Sequence, residues 1–243
     1  MRLQRYIMNE YDSYGLNMDR FFSLWQTLLK DCKPYLQEFQ KTKSDIFLMR
    51  AVTGNRGNTI QKKYPKVDRI PVDTPIEVHD LLNMLFKKEF GWPVRNGVFA
   101  ANEYFDGFEE YGKPFLFFPI GKYKFVWSPE IKDLWMDVIQ WKTEYYRRPQ
   151  DIANDEEKLA LWNFDRINVF QEEVVNKYKS GDLKGAIKSG NEISFNCKSY
   201  YVVSNTLYPE IEQMLKLPLK KYKDEHTNKE SMENYLKSRT GKV

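Results

Sequence analysis

Cysteine and histidine are scarce in this chain of 243 residues, which has two of each: Cys32, Cys197, His79 and His226. Two thiols allow at most one disulfide, which would do little for a chain of this size. Both cysteines sit in apolar surroundings at positions that suit a core face, so the expected role is that of a small buried hydrophobe. No metal site can be assembled from these thiols and two distant histidines. Long apolar runs are missing too, and none approaches the roughly 20 residues that a membrane span needs. Met1 to Glu10 is too short and too polar for a signal peptide. The expected compartment is therefore a reducing cytoplasm, or a particle assembled there. Also absent are the Walker-type phosphate loop, the dinucleotide fingerprint, His-Glu-x-x-His and the nucleophile elbow. A serine nucleophile with a histidine base is disfavoured, because neither histidine has a loop context that suits the role.

What is present is core material. Apolar residues make up 42% of the chain and aromatics 16%, enough to argue against a disordered chain. The formal net charge of +4 permits an anionic partner without requiring one. Asp19 to Thr42 reads as one amphipathic helix with Phe21, Trp25, Leu28, Leu29, Cys32, Leu36 and Phe39 on its apolar face, kinked or split at Pro34. Asp45 to Val52 reads as a buried strand carrying Arg50. Gly54 to Pro71 reads as a long basic loop, in which Arg56, Lys62, Lys63, Lys66 and Arg69 face only Asp68. Thr74-Pro75-Ile76-Glu77 predicts a capping box opening a helix to Phe90, with His79 in a structural role.

A second strand is predicted over Gly97–Ala101 and a short helix over Asn102–Tyr111. Phe115–Phe118 and Tyr123–Trp127 read as a hairpin or one bent strand around Pro119-Ile120-Gly121-Lys122. Ser128-Pro129 is read as the start of another helix, and Asp155–Lys179 as a further one. Glu192–Val203 alternates as a strand would. The tail from Lys216, with eight basic and four acidic residues, predicts a surface helix. Helices at both ends with strands between them give an α+β class. The expected division is a helical segment over 1–44, a main domain over 45–208 and a helical tail over 209–243.

Three separated segments carry the chemistry. They are the arginine in Phe47-Leu48-Met49-Arg50-Ala51, the strand Gly97-Val98-Phe99-Ala100-Ala101-Asn102 with its downstream helix and strand, and the glutamate in Ser189-Gly190-Asn191-Glu192-Ile193-Ser194-Phe195. Taken singly, Arg50 could be a strand-end residue that snorkels to solvent, and Glu192 an exposed residue after a turn. In this order, over roughly Ile46 to Val203, the segments resemble the mono-ADP-ribosyltransferases of the arginine-serine-glutamate class. The middle segments also resemble uncharacterised proteins of large tailed bacteriophages.

That resemblance implies an ADP-ribosyltransferase-like mixed β-sheet core with flanking helices. It also implies NAD as substrate, and a protein or nucleic-acid acceptor in the host cytoplasm or in association with a virion. Glu192 would be the catalytic carboxylate facing the cationic ribose. Arg50 would bind the pyrophosphate, and Phe99 or Tyr104 would lie near the nicotinamide. Ala100, Ala101 and Asn102 stand where the family has Ser-Thr-Ser, with Asn102 as the residue that could replace the hydroxyls. Gly190 stands where many members carry Glu or Gln to position the acceptor. The same departures support an alternative, a catalytically inactive structural or assembly protein of a phage on the same fold. A nucleic-acid role through the basic loop and tail predicts affinity that falls steeply with salt.

Overall fold

A computed structural model of the chain describes residues 18–53, 60–66, 68–71, 74–102, 108–145 and 149–216. The long amphipathic pattern at the start forms two helices, α1 (Met18–Asp31) and α2 (Lys33–Thr42), with Pro34 in the first turn of the second. Proline has no N–H to continue the ladder, so the split falls just ahead of it. The apolar face continues across the break, and Phe21, Trp25, Leu28, Cys32, Leu36 and Phe39 are all buried.

The strands come next. They are β1 (Met49–Val52) and β2 (Ile60–Lys63), then after helix α3 (Ile76–Phe90) the short β3 (Val98–Ala100), and after α4 (Phe108–Tyr111) the pair β4 (Lys113–Pro119) and β5 (Tyr123–Trp127). Helices α5 (Leu134–Asp137) and α6 (Glu156–Glu173) precede β6 (Lys179–Ser180), and α7 (Leu183–Ser189) leads into β7 (Ile193–Cys197), β8 (Tyr200–Ser204) and α8 (Tyr208–Lys216). In place of a mixed-sheet core, the described residues form two four-stranded sheets, ordered β1-β4-β8-β2 and β3-β7-β5-β6. Each pairing among the described residues is antiparallel. The class is α+β, with helices before, between and after the strands.

One bent ribbon belongs to both sheets. In the first sheet β4 runs beside β8, with Leu116 opposite Val203. In the second their neighbours β5 and β7 run together, with Phe125 opposite Phe195. The ribbon bends at Ile120-Gly121-Lys122 on one side and Lys198-Ser199 on the other, where the Ile120 N–H donates to the Ser199 carbonyl at 3.0 Å. So of the two readings of Phe115–Trp127 the bent strand holds and the hairpin does not, and Glu192–Val203 is not one strand. Both stretches are strand-like in sequence but change sheets midway. The Gly121 N–H also donates to the Asp31 carbonyl at 2.8 Å, pinning the bend to the end of α1.

Other expectations shift. The basic loop contains β2, an edge strand whose Gln61-Lys62-Lys63 gives no apolar alternation to read and whose lysines suit a protected edge. Ser128 does not open a helix. Its hydroxyl accepts from the Glu130 and Ile131 N–H groups in a turn, and α5 begins later, capped by Asp133. Helix α6 is capped by Asp155 and stops at Glu173 rather than Lys179. Only Phe170 on it is buried, while Leu161, Phe164 and Ile167 are exposed. Helix α7 escaped the sequence reading. The charged tail beyond Lys216 lies outside the described residues, as does the 103–107 connection.

The main core joins the sheets to the N-terminal helices: Phe117 meets Phe195 at 4.9 Å, and Tyr35 of α2 meets Phe118 and Tyr123 at 6.0 and 5.9 Å. A second cluster joins α3, α5 and α6 through Leu82, Phe86, Leu134 and Phe170 to Val126 of β5. Cys32 and Cys197 are buried free thiols, and burial pushes Cys197 up to about 12. Among the described residues no helix is long and apolar enough to cross a membrane.

Candidate active site

Away from the bent ribbon, edge strands of the two sheets also meet, and the candidate residues gather around that meeting point. The edge strand of the first meets the edge strand of the second at Met49 and Ala101. The Met49 N–H donates to the Ala101 carbonyl at 2.7 Å and the reverse bond is 3.0 Å. Arg50, one residue on, turns its guanidinium back across the junction. Its Nη1 donates to the Phe99 carbonyl at 2.7 Å, and the group lies 5.7 Å from the Tyr200 ring centre.

Strand β7 pairs with β3, with Ile193 opposite Ala100, so Glu192 arrives immediately ahead of that pair, at the same junction. Two features of the chain allow this approach. Gly97 lies so close to β7 that a Cβ there would come within 2.3 Å of the Ser194 hydroxyl, which itself donates to the Val94 carbonyl at 2.7 Å. Gly190, with φ +75°, supplies the left-handed turn out of α7. The Glu192 N–H donates to the Lys132 carbonyl at 2.9 Å, which ties the glutamate to the segment carrying Asp133.

A cleft of about 130 Å³ opens at this junction, lined by Arg50, Phe99, Ala100, Ala101 and Glu192 together with Arg69, Arg95 and Asp133. Phe108, Tyr111 and Trp135 add aromatic surface. Arg95 comes from the 3₁₀ turn Val94–Asn96 that follows α3. Its backbone N–H is held by Asn83 Oδ1 at 2.9 Å and its Nη2 by the Thr74 hydroxyl at 3.0 Å. The Thr74 side chain therefore does not cap α3, whose N-cap is Pro75 with no side-chain bond. Arg69 and Arg95 both lie against the Phe99 ring, at 4.4 and 5.5 Å from its centre.

Electrostatics follow from this crowding. Burial, and after it the Asp133 carboxylate, push Glu192 up to about 7, although Arg95, Arg69 and Arg50 oppose the rise. Burial and then the neighbouring Arg95 and Arg50 bring Arg69 down to about 10, so it stays cationic at neutral pH. His79 stands behind the cleft in a structural role. It is buried and bonded to Asn96 and Asn83 at 3.0 Å, and burial and Arg95 lower its pKa.

Of the residues singled out in the sequence, Arg50, Phe99, Ala100 and Glu192 come together in the cleft. Asn102 is fully buried outside the lining, and its amide nitrogen donates to the Ile187 carbonyl at 2.7 Å. Tyr104 lies outside the described residues. Sequence reading missed Arg95, Asp133 and Trp135 as parts of a site, and placed Arg69 only in a long basic loop. Only the basic excess of that loop hinted at Arg69. Nothing in Trp92-Pro93-Val94-Arg95-Asn96 distinguishes Arg95 from an ordinary connection. No family model, curated protein or solved structure matches the chain.

Proposed function

We propose that the chain is a mono-ADP-ribosyltransferase with an ADP-ribosyltransferase-like fold, which cleaves the nicotinamide–ribose bond of NAD and passes ADP-ribose to a macromolecular acceptor. The observation that carries the reading is the convergence of Arg50, Phe99 and Glu192, from three distant segments, in one cleft. The chemistry needs an arginine for the pyrophosphate, an aromatic surface for the flat base and a carboxylate facing the ribose as positive charge develops on it. As the carbon–nitrogen bond breaks, its electron pair leaves with nicotinamide, and a nucleophile of the acceptor bonds to the ribose carbon. Glu192, ionised, stabilises the cationic ribose between those two events. A cleft of about 130 Å³ closes around only part of a dinucleotide, so the rest of NAD lies along its open mouth.

Nicotinamide release by the purified chain tests the reading. Glu192→Gln, which keeps the shape and removes the charge, is expected to lower turnover roughly 100-fold or more. Wild-type turnover is expected to rise with pH through about 7, as Glu192 ionises. Unchanged turnover in Glu192→Gln removes the assignment of the glutamate.

A second reading has its own observation. Ala100 and Ala101 bring no hydroxyl to the cleft, and the Asn102 amide is committed to the Ile187 carbonyl. A chain that binds NAD without cleaving it, or that serves as a component of a phage assembly, fits those facts. Binding without nicotinamide release favours the first of these, and stable incorporation into a particle with no NAD binding favours the second.

A further inference from the structure

Arg95 is only 7% exposed, yet its guanidinium is half used. Nη2 donates to Thr74, while Nε is buried with no hydrogen-bond partner. A buried donor without an acceptor is costly and calls for an explanation, and here the group lines a cleft. No carboxylate among the described residues lies within 4.0 Å of the nitrogens of Arg50, Arg69 or Arg95. Arg69 packs against the same Phe99 ring as Arg95, and Arg50 holds the carbonyl of that residue. Phe99 thus gathers all three guanidinium groups without neutralising any. The carboxylates that face them are Asp133 and Glu192. One oxygen of Asp133 is occupied by the N–H groups of Trp135 and Met136, and Glu192 lies half-buried ahead of β7.

We infer that Arg69 and Arg95, gathered on Phe99, form an oxyanion subsite for a phosphoryl group of the ligand, beside Arg50. Guanidinium forks match the several oxygens of a phosphoryl group, which can accept from Nε of Arg95 and from both neighbours at once. A carboxylate has too few oxygens to serve three forks. The subsite refines the NAD reading by adding two phosphate ligands to Arg50. It also stands without that reading, because it rests on the unmet donor of Arg95.

Calorimetric titration of the full chain with inorganic pyrophosphate, in parallel with NAD binding and nicotinamide release, tests it. Wild type is expected to bind pyrophosphate, more weakly as salt is raised. Arg95→Gln and Arg69→Gln are each expected to weaken that binding about tenfold or more, and Arg95→Lys to recover part of it. Arg69 is half-buried, so Arg69→Gln decides the matter if Arg95→Gln fails to fold. No binding of pyrophosphate at millimolar concentration overturns the subsite, as does wild-type affinity in Arg69→Gln. Pyrophosphate held through Arg95 and Arg69 by a chain that ignores NAD keeps the subsite and removes the transferase reading. NAD cleavage with pyrophosphate binding indifferent to both arginines does the reverse.

Discussion

Phe125, packed between the sheets, is 6% exposed, and Arg95, in the cleft a strand away, is 7% exposed. They are equally removed from water and oppositely provided for. Around Phe125 the rings of Tyr123 and Phe195 lie 6.2 and 5.6 Å away, and Phe195 in turn meets Phe117 at 4.9 Å. Every apolar surface there has a partner. Around Arg95 one donor is met by Thr74, another is unmet, and the nearest charged groups include two more arginines. The first region has what a stable fold needs, and the second retains a requirement that the fold does not satisfy. Sites that bind or react are where local rules are expected to be broken while the surroundings over-determine the geometry.

The largest effect should come from breaking the satisfied region. Phe117→Ala removes a ring that is fully buried and in contact with Phe195 and Tyr200. It is expected to cost about 3–5 kcal/mol, read from the denaturant midpoint. Arg95→Met, by contrast, is expected to cost well under half of that, because an apolar chain of similar length loses one hydrogen bond but also ends an uncompensated burial of charge. Equal losses in the two variants would erase the contrast between the regions.

The next effect is a pH dependence. Glu192 in the folded chain titrates near 7 against an ordinary value of 4.5. Below the ordinary value the group is protonated whether folded or not. Between the two values only the folded chain holds the proton, and above 7 neither does. The raised value therefore gives stability that is present at low pH and lost as pH rises through that window. Other carboxylates titrate there as well, so the difference between wild type and Glu192→Gln is the quantity to follow. The variant is expected to gain on wild type by about 2–3 kcal/mol between pH 4.5 and 7.5. A constant difference would mean that Glu192 is better solvated than its place at the junction implies.

The same contrast explains what could be read from the sequence. Stripes such as Phe21, Trp25, Leu28 and Leu36 report burial directly, because period and partner are both local, and the helices they predict are present. Phe115–Phe118 and Glu192–Val203 also report burial, but a strand-like run does not say which neighbour the strand pairs with. Around Pro119–Lys122 the sequence left a hairpin and a bent strand both open, and within Glu192–Val203 it gave no sign of a bend. The charged side of the cleft was legible only where a resemblance pointed to it, at Arg50 and Glu192. Arg95, Arg69 and Asp133 come from a 3₁₀ turn, a basic connection and a helix cap. In the sequence each has an ordinary local explanation, and only the fold brings them to one cleft.

Thr74 shows how a local rule can mislead at such a place, and it gives the smallest effect. Thr74-Pro75-Ile76-Glu77 has the form of a capping box, yet the Thr74 hydroxyl accepts from Arg95 Nη2 instead of from the first turn of α3. Thr74→Val keeps the branched shape and removes the acceptor. If Thr74 were a cap, the loss would fall on α3, with helix content fraying at that end and pyrophosphate binding untouched. With the hydroxyl on Arg95, the variant leaves a second guanidinium nitrogen without a partner. Stability should then fall by only about 1 kcal/mol, while pyrophosphate affinity drifts by a few-fold as the fork loses its orientation. Amide exchange along Ile76–Asp80, compared with pyrophosphate titration, separates the two outcomes. Faster exchange with unchanged affinity returns Thr74 to the helix, and the reverse keeps it with the cleft.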